Sequence, residues 1–61
     1  MLTNLRSAVQ ALANNTATLD QLAEIDNWAR GNSFARGQLK VACKKVGIDG
    51  AAIIAEVKAK A

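Results

Sequence analysis

A chain of 61 residues with a formal net charge of +3 has room for one small domain with a thin core. It contains no histidine, no tyrosine and a single cysteine, which excludes the usual proton-transfer group near neutral pH, an internal disulfide and the soft ligand set of a structural zinc site. We therefore expect no enzyme, no cofactor and no bound metal, and we expect a partner or association with other copies to add stability.

The amino-terminal segment does not resemble a signal peptide, because Leu2, Leu5 and Val9 alternate with polar residues instead of forming an apolar run. No stretch of about 20 apolar residues is present to span a bilayer. A lone thiol, Cys43, fits a reducing compartment. These features predict a cytoplasmic protein that contacts no membrane.

Apolar spacing and capping signals predict a single all-α domain over residues 1–61, a small bundle of three to four short helices. Their expected ranges are about 3–13, 18–30, 33–46 and 49–59. In the first helix, Leu2, Leu5, Val9 and Leu12 share one face. We expect it to end near Asn14 and Asn15, since asparagine tolerates the left-handed conformation found at helix ends.

The second helix has a strong start signal, because Thr18 and Gln21 are spaced as a capping box. Gly31 stands where a glycine is expected just beyond the end of the helix. The predicted inward stripe of this helix consists of Leu19, Leu22, Ala23, Ile25 and Ala29.

Asn32 or Ser33 is expected to cap the third helix, and Gly47 followed by Ile48 is typical of a Schellman stop at its end. Asp49 then caps the fourth helix. The predicted inner face of the third helix is Ala35, Leu39, Ala42, Cys43 and Val46, and that of the fourth is Ile53, Ile54 and Val57.

Charge changes sign along the chain at Arg30. Residues 18–29 carry three acids and no base, whereas residues 30–46 carry five bases and no acid. The five bases are Arg30, Arg36, Lys40, Lys44 and Lys45. They would contact nucleic-acid phosphates or another acidic partner. The alternative is that the basic third helix packs antiparallel to the acidic second helix, in the same chain or in a neighbouring one.

Two aromatic residues flank the same turn. If the second helix is regular through Arg30, Trp28 falls on the side opposite Leu22 and becomes a candidate interface anchor, with Phe34 and Val41 extending the patch. If the helix instead ends near Asn27, Trp28 turns inward as the largest core residue.

Asp26 falls on the predicted apolar side of the second helix, where a carboxylate requires a partner. Arg30, four residues further on, is the local candidate, and Arg6 or a basic residue of a second subunit is the alternative. A position at the edge of the apolar stripe would also explain Asp26.

In outline, a helix, the turn 31–33 and a basic second helix resemble the helix-turn-helix DNA-binding unit. That motif has a small residue four positions before its turn glycine, where this chain has Asn27. Its apolar anchors would fall at Gly37 and Lys40. Because these positions depart from the motif, the sequence is not assigned to that family.

The leading hypothesis is a non-enzymatic helical protein, of an accessory, assembly or inhibitor-like kind, that docks onto another protein or onto itself through Trp28 and Phe34. The alternative is a small basic protein that binds nucleic acid through its third helix, using Arg36, Lys40, Lys44 and Lys45. Neither hypothesis includes a small-molecule substrate.

Overall fold

A computed structural model describes residues 4–60, and it confirms the predicted all-α bundle, with no strand within that range. The helices are α1 (Leu5–Ala13), α2 (Leu19–Ala29), α3 (Ser33–Lys45) and α4 (Gly50–Lys60). The expected position of Leu2 on the face of α1 lies outside the described residues. None of these helices is long and apolar enough to cross a membrane.

Two helices end in Schellman motifs, as predicted for α3, and α1 ends at the predicted left-handed asparagine. After α1, Asn15 adopts a left-handed φ of 59° and the backbone N–H of Thr16 donates to the carbonyl of Ala11 at 2.8 Å. After α3, Gly47 has φ 80° and the N–H of Ile48 donates to the carbonyl of Cys43 at 2.9 Å. The chain therefore reverses direction at both points with its last helical carbonyls satisfied.

The predicted caps at the helix starts are also formed. The N–H of Gln21 donates to the hydroxyl of Thr18 at 3.2 Å, while the N–H of Thr18 donates to Oε1 of Gln21 at 2.9 Å. At the start of α4, Oδ1 of Asp49 accepts from the N–H groups of Ala51 and Ala52, at 3.0 and 3.3 Å. The starts of α2 and α4 are thus fixed by residues close to them in the sequence.

Of the two expected caps for α3, Asn32 is the one used, because its Oδ1 accepts from the N–H of Ala35 at 2.9 Å. Gly31 has no positive φ. A Cβ there would lie 2.6 Å from that of Ala35, so a close approach explains this glycine better than a left-handed turn does.

The core lies where α1, α2, α3 and α4 meet, with α1 against α2 and α3, and with α4 against α3 and α2. Its largest fully enclosed side chains are Val9, Leu39 and Cys43. The buried apolar residues are Ala8, Val9, Ile25, Ala29, Leu39, Ala42, Cys43, Ile54 and Val57. Several are alanine, so the core is as thin as the composition predicts.

The predicted inward stripe of α2 is partly wrong. Ile25 and Ala29 are buried, but Leu19 is 83% exposed and Leu22 is 41% exposed. The helix is rotated about its axis so that Trp28, rather than Leu19, packs against the core. The indole has more apolar area to remove from water than a leucine side chain, which favours this rotation.

Candidate binding surface

A cleft of about 370 Å³ opens between the start of α1, the end of α2 and one side of α3. Trp28 lies at its α2 wall and Val41 at its α3 wall. The residues that line it are Asn4, Leu5, Arg6, Trp28, Gln38, Val41, Ala42 and Lys45. The cleft therefore brings together two of the three predicted interface residues. The sequence alone does not show that the helices carrying them are neighbours at this point.

Trp28 fits neither of its two predicted positions completely. The helix does not end at Asn27, since α2 runs to Ala29, so that part of the core interpretation is wrong. Trp28 is nevertheless half-buried and packs against the core, so the solvent-facing interpretation is wrong as well. Trp28 therefore both packs against the core and lines the cleft.

Phe34 and Val41 are the exposed apolar residues on this side, at 70% and 53%. Helical spacing places Phe34, Gln38 and Val41 in one line along α3, because they are four and then three residues apart. Phe34 does not line the cleft itself, but it continues the same helix face beyond Gln38. We call this cleft, together with Phe34, the aromatic groove.

The aromatic groove carries positive charge on its α1 and α3 sides. A second cleft of about 210 Å³ adjoins it and shares Arg6, Ala42 and Lys45 with it. Gln10 and Val46 complete this second lining. No carboxylate belongs to the linings of these two clefts within residues 4–60, so an occupant would meet two cations and no acid.

Of the five basic residues that the sequence predicts to contact nucleic acid or an acidic partner, two already have partners within the chain. Nε of Arg30 lies 2.8 Å from Oδ2 of Asp26, so Arg30 is the local partner that the sequence predicts, and the partly exposed carboxylate lies at the edge of the apolar stripe rather than buried within it. Both side chains are about half exposed, so this ion pair adds little stability. Arg36 donates from Nη1 to the carbonyl of Gly31 and so satisfies an acceptor in the turn after α2.

The remaining predicted cations, Lys40, Lys44 and Lys45, are exposed. The pair Asp26–Arg30 is the sole ion pair within 4.0 Å in the part of the chain that is described. The acidic α2 therefore forms no ion pair with the basic α3 in this chain. Lys45 lies apart from the stripe of Arg36, Lys40 and Lys44 and lines the aromatic groove with Arg6.

A second exposed apolar surface lies on the outer side of α2. It comprises Leu19, Leu22 and Ala23, with the exposed carboxylate of Asp20 beside them. We call it the leucine face. Its unpaired charge is the exposed carboxylate of Asp20, opposite in sign to the cations of the aromatic groove, because Asp26 is paired with Arg30 and Glu24 is half-buried.

Glu24 is half-buried on α2, and its Oε2 atom is buried without a hydrogen-bond partner in the described part of the chain. Burial of an unpaired carboxylate oxygen opposes folding. The periodic pattern of the sequence does not predict that this carboxylate is buried, because it places Glu24 on the polar face of the helix.

The thiol of Cys43 is completely buried, and burial raises its pKa above the ordinary value of 9.0, with a further contribution from the negative charge of Asp49. It is therefore a protonated core side chain at neutral pH. Within residues 4–60, no group of three or more cysteine or carboxylate side chains is placed to hold a metal ion.

Sequence reasoning missed the contribution of α1 to the groove. The sequence suggests Arg6 only as an alternative partner for Asp26, and it connects neither Asn4 nor Leu5 with a binding surface. Helical spacing identifies residues that share a face, but it does not show which helices lie next to each other. No protein-family model, curated protein or solved structure matches this chain.

Proposed function

We propose that this chain is a non-enzymatic docking protein that binds another polypeptide in its aromatic groove. The observation that carries the proposal is the convergence of Trp28, Phe34 and Val41 on one side of the bundle. A chain with so few large apolar residues leaves Phe34 and Val41 in water, although burying them would strengthen a thin core. A partner that covers them would remove this cost.

The groove has the composition expected of a protein interface. Tryptophan and arginine are enriched among the residues that contribute most binding energy, and the centre of an interface is commonly apolar with a polar rim. Here Trp28 and Val41 form the apolar part, whereas Arg6, Gln38 and Lys45 supply the rim. The two cations would orient a partner that carries acids at matching positions.

The proposal is tested by photo-crosslinking from within the groove. A photoreactive phenylalanine analogue is placed at Phe34 or at Val41, and as a matched control at Ala52, which is exposed on α4. In cells that express the protein, the first two positions should give protein adducts and the control should give far fewer. Equal yields at all three positions, or none at any, would contradict docking through the groove.

Nucleic acid is the second candidate, favoured by a tryptophan wall beside two cations and by the exposed Lys40 and Lys44. Single-stranded nucleic acid binds where bases stack on aromatic rings beside a basic surface. Binding would then weaken steeply with salt, and replacing Lys40 and Lys44 by glutamine would reduce the slope. No binding of a labelled oligonucleotide at about 50 mM salt would eliminate this candidate.

A further inference from the structure

We infer that the polypeptide bound in the aromatic groove is α2 of a second copy of this chain, presented through its leucine face. This inference rests on the proposed docking function and names the partner. Leu19, at 83% exposure, is the most exposed large apolar residue within residues 4–60, and Leu22 lies three positions along the same helix. An amphipathic helix that docks in a groove uses anchors with this spacing.

Charge complementarity selects α2 as the occupant. The groove presents Arg6 and Lys45 and no carboxylate, whereas α2 offers an acid next to Leu19. Of the other two acids of α2, Asp26 is paired with Arg30 and Glu24 is half-buried. Asp20, next to Leu19, is exposed and belongs to no ion pair within 4.0 Å in the described part of the chain. Within one chain these opposite charges do not meet, but between copies they would.

The two surfaces lie on opposite sides of α2. Trp28 follows Leu19 by nine residues, which is about two and a half helical turns, so the two side chains point in opposite directions. A copy that offers its leucine face to one neighbour therefore keeps its aromatic groove free for another. Such a head-to-tail contact builds rings or open chains rather than a closed two-fold dimer.

The size of the molecule predicts a weak contact. The total accessible surface is 4161 Å², and a stable interface usually buries about 800 Å² on each partner. One helix side seated in one groove would cover less than that. Assembly should therefore depend on concentration, with the mean mass rising between about 10 μM and 1 mM, the range expected of weak complexes.

Two single-surface variants test the direction of the contact. Val41→Glu places an acid in the groove and leaves the leucine face intact, whereas Leu19→Lys places a base on the leucine face and leaves the groove intact. Both positions are exposed, so the helix content measured by circular dichroism should not change. Each variant alone should be monomeric by sedimentation equilibrium, with self-association weakened about ten-fold or more.

Mixing the two variants gives the decisive measurement. The intact groove of Leu19→Lys should bind the intact leucine face of Val41→Glu, and the mixture should contain dimers but no larger species. Ala55→Glu and Ala52→Lys, at exposed positions of α4, add the same charges elsewhere and should assemble as the unmodified chain does. Raising the salt concentration should weaken both the mixed dimer and the unmodified assembly.

Two results would overturn the inference. If the unmodified chain stays monomeric up to about 1 mM, a range that includes weak complexes, a second copy is not the occupant. If the unmodified chain associates but the mixed variants do not, the contact joins like surfaces. Neither result contradicts docking as such, because crosslinks from Phe34 and Val41 to a different protein would still support the proposed function.

Discussion

A Cβ atom at position 50 would lie 2.9 Å from the Cα of Lys40 and 3.3 Å from its Cγ. Gly50, the first residue of α4, is buried, and the absence of a side chain lets α4 begin against the backbone of α3. Gly50→Ala should therefore push the two helices apart. We expect the free energy of unfolding to fall by about 1–3 kcal/mol, the usual cost of overpacking.

Gly37→Ala is the matched control for that substitution. Gly37 also lies in a helix, but a Cβ there would meet nothing within 4 Å. Alanine should stabilise α3 by about 0.5–1 kcal/mol through helix propensity. In urea unfolding, the two glycine-to-alanine substitutions should thus change the free energy of unfolding in opposite directions. Destabilisation by both variants would contradict the close approach at Gly50.

Trp28 is predicted to contribute to stability as well as to binding, because it packs against the core while it lines the groove. Trp28→Ala should lower the free energy of unfolding by about 2 kcal/mol, less than the 3–5 kcal/mol typical of fully buried aromatic residues. Phe34→Ala should change it by less than about 0.5 kcal/mol, as is usual at exposed positions.

Urea unfolding monitored by far-ultraviolet circular dichroism at low protein concentration checks this difference without a contribution from association. Equal losses for Trp28→Ala and Phe34→Ala would show that Phe34 also packs on the fold. No loss for Trp28→Ala would show that the indole is only a binding residue.

The helix boundaries follow from the sequence because their causes are local. The capping box of Thr18 and Gln21, the Asp49 cap and the stops at Asn15 and Gly47 each involve residues within a few positions of one another. Such contacts form in the same way whatever the rest of the chain does. The four-helix prediction was correct for this reason.

The rotation of α2 does not follow from the sequence. Leu19 and Leu22 together make a more convincing apolar stripe than Ile25 with Trp28, and hydropathy alone assigns the leucines to the core. The choice is made by packing against three other helices at once, which places Ile25 and Ala29 inward and leaves Leu19 outside. The groove depends on this rotation, so it too was only partly predictable.

Glu24 is predicted to cost stability, because its buried Oε2 has no hydrogen-bond partner within residues 4–60. Glu24→Met keeps a long, flexible side chain and removes the unpaired oxygen. We expect the free energy of unfolding to rise by about 1 kcal/mol, at the lower end of the penalty for an unsatisfied buried group. The same substitution at the exposed Glu56 should change the free energy of unfolding by less than about 0.5 kcal/mol.

Thermal unfolding of the two methionine variants provides the measurement. A higher midpoint for Glu24→Met, with Glu56→Met unchanged, would agree with an unpaired oxygen at position 24. A lower midpoint for Glu24→Met would mean that the carboxylate makes a favourable contact in solution.

The buried thiol of Cys43 should make the free energy of unfolding depend on pH in a defined direction. Burial raises the pKa of its thiol above 9.0 in the folded chain, so the unfolded chain loses this proton first as the pH rises. Above pH 9 the unfolded state binds fewer protons than the folded state, and the free energy of unfolding must fall. The stability that the protonated thiol contributes is fully present below the pKa of the thiol in the unfolded chain. It is lost as the pH rises through the pKa of the thiol in the folded chain.

The variant Cys43→Ala isolates this effect, because the two proteins differ in no other titratable side chain. The variant should be less stable near neutral pH through the loss of packing at a fully enclosed position. Its disadvantage should then shrink between about pH 8.5 and 10, where unfolded thiols ionise. Urea unfolding at several pH values gives the difference directly, and a gap that stays constant would mean that the thiol ionises as readily in the folded chain as in the unfolded one.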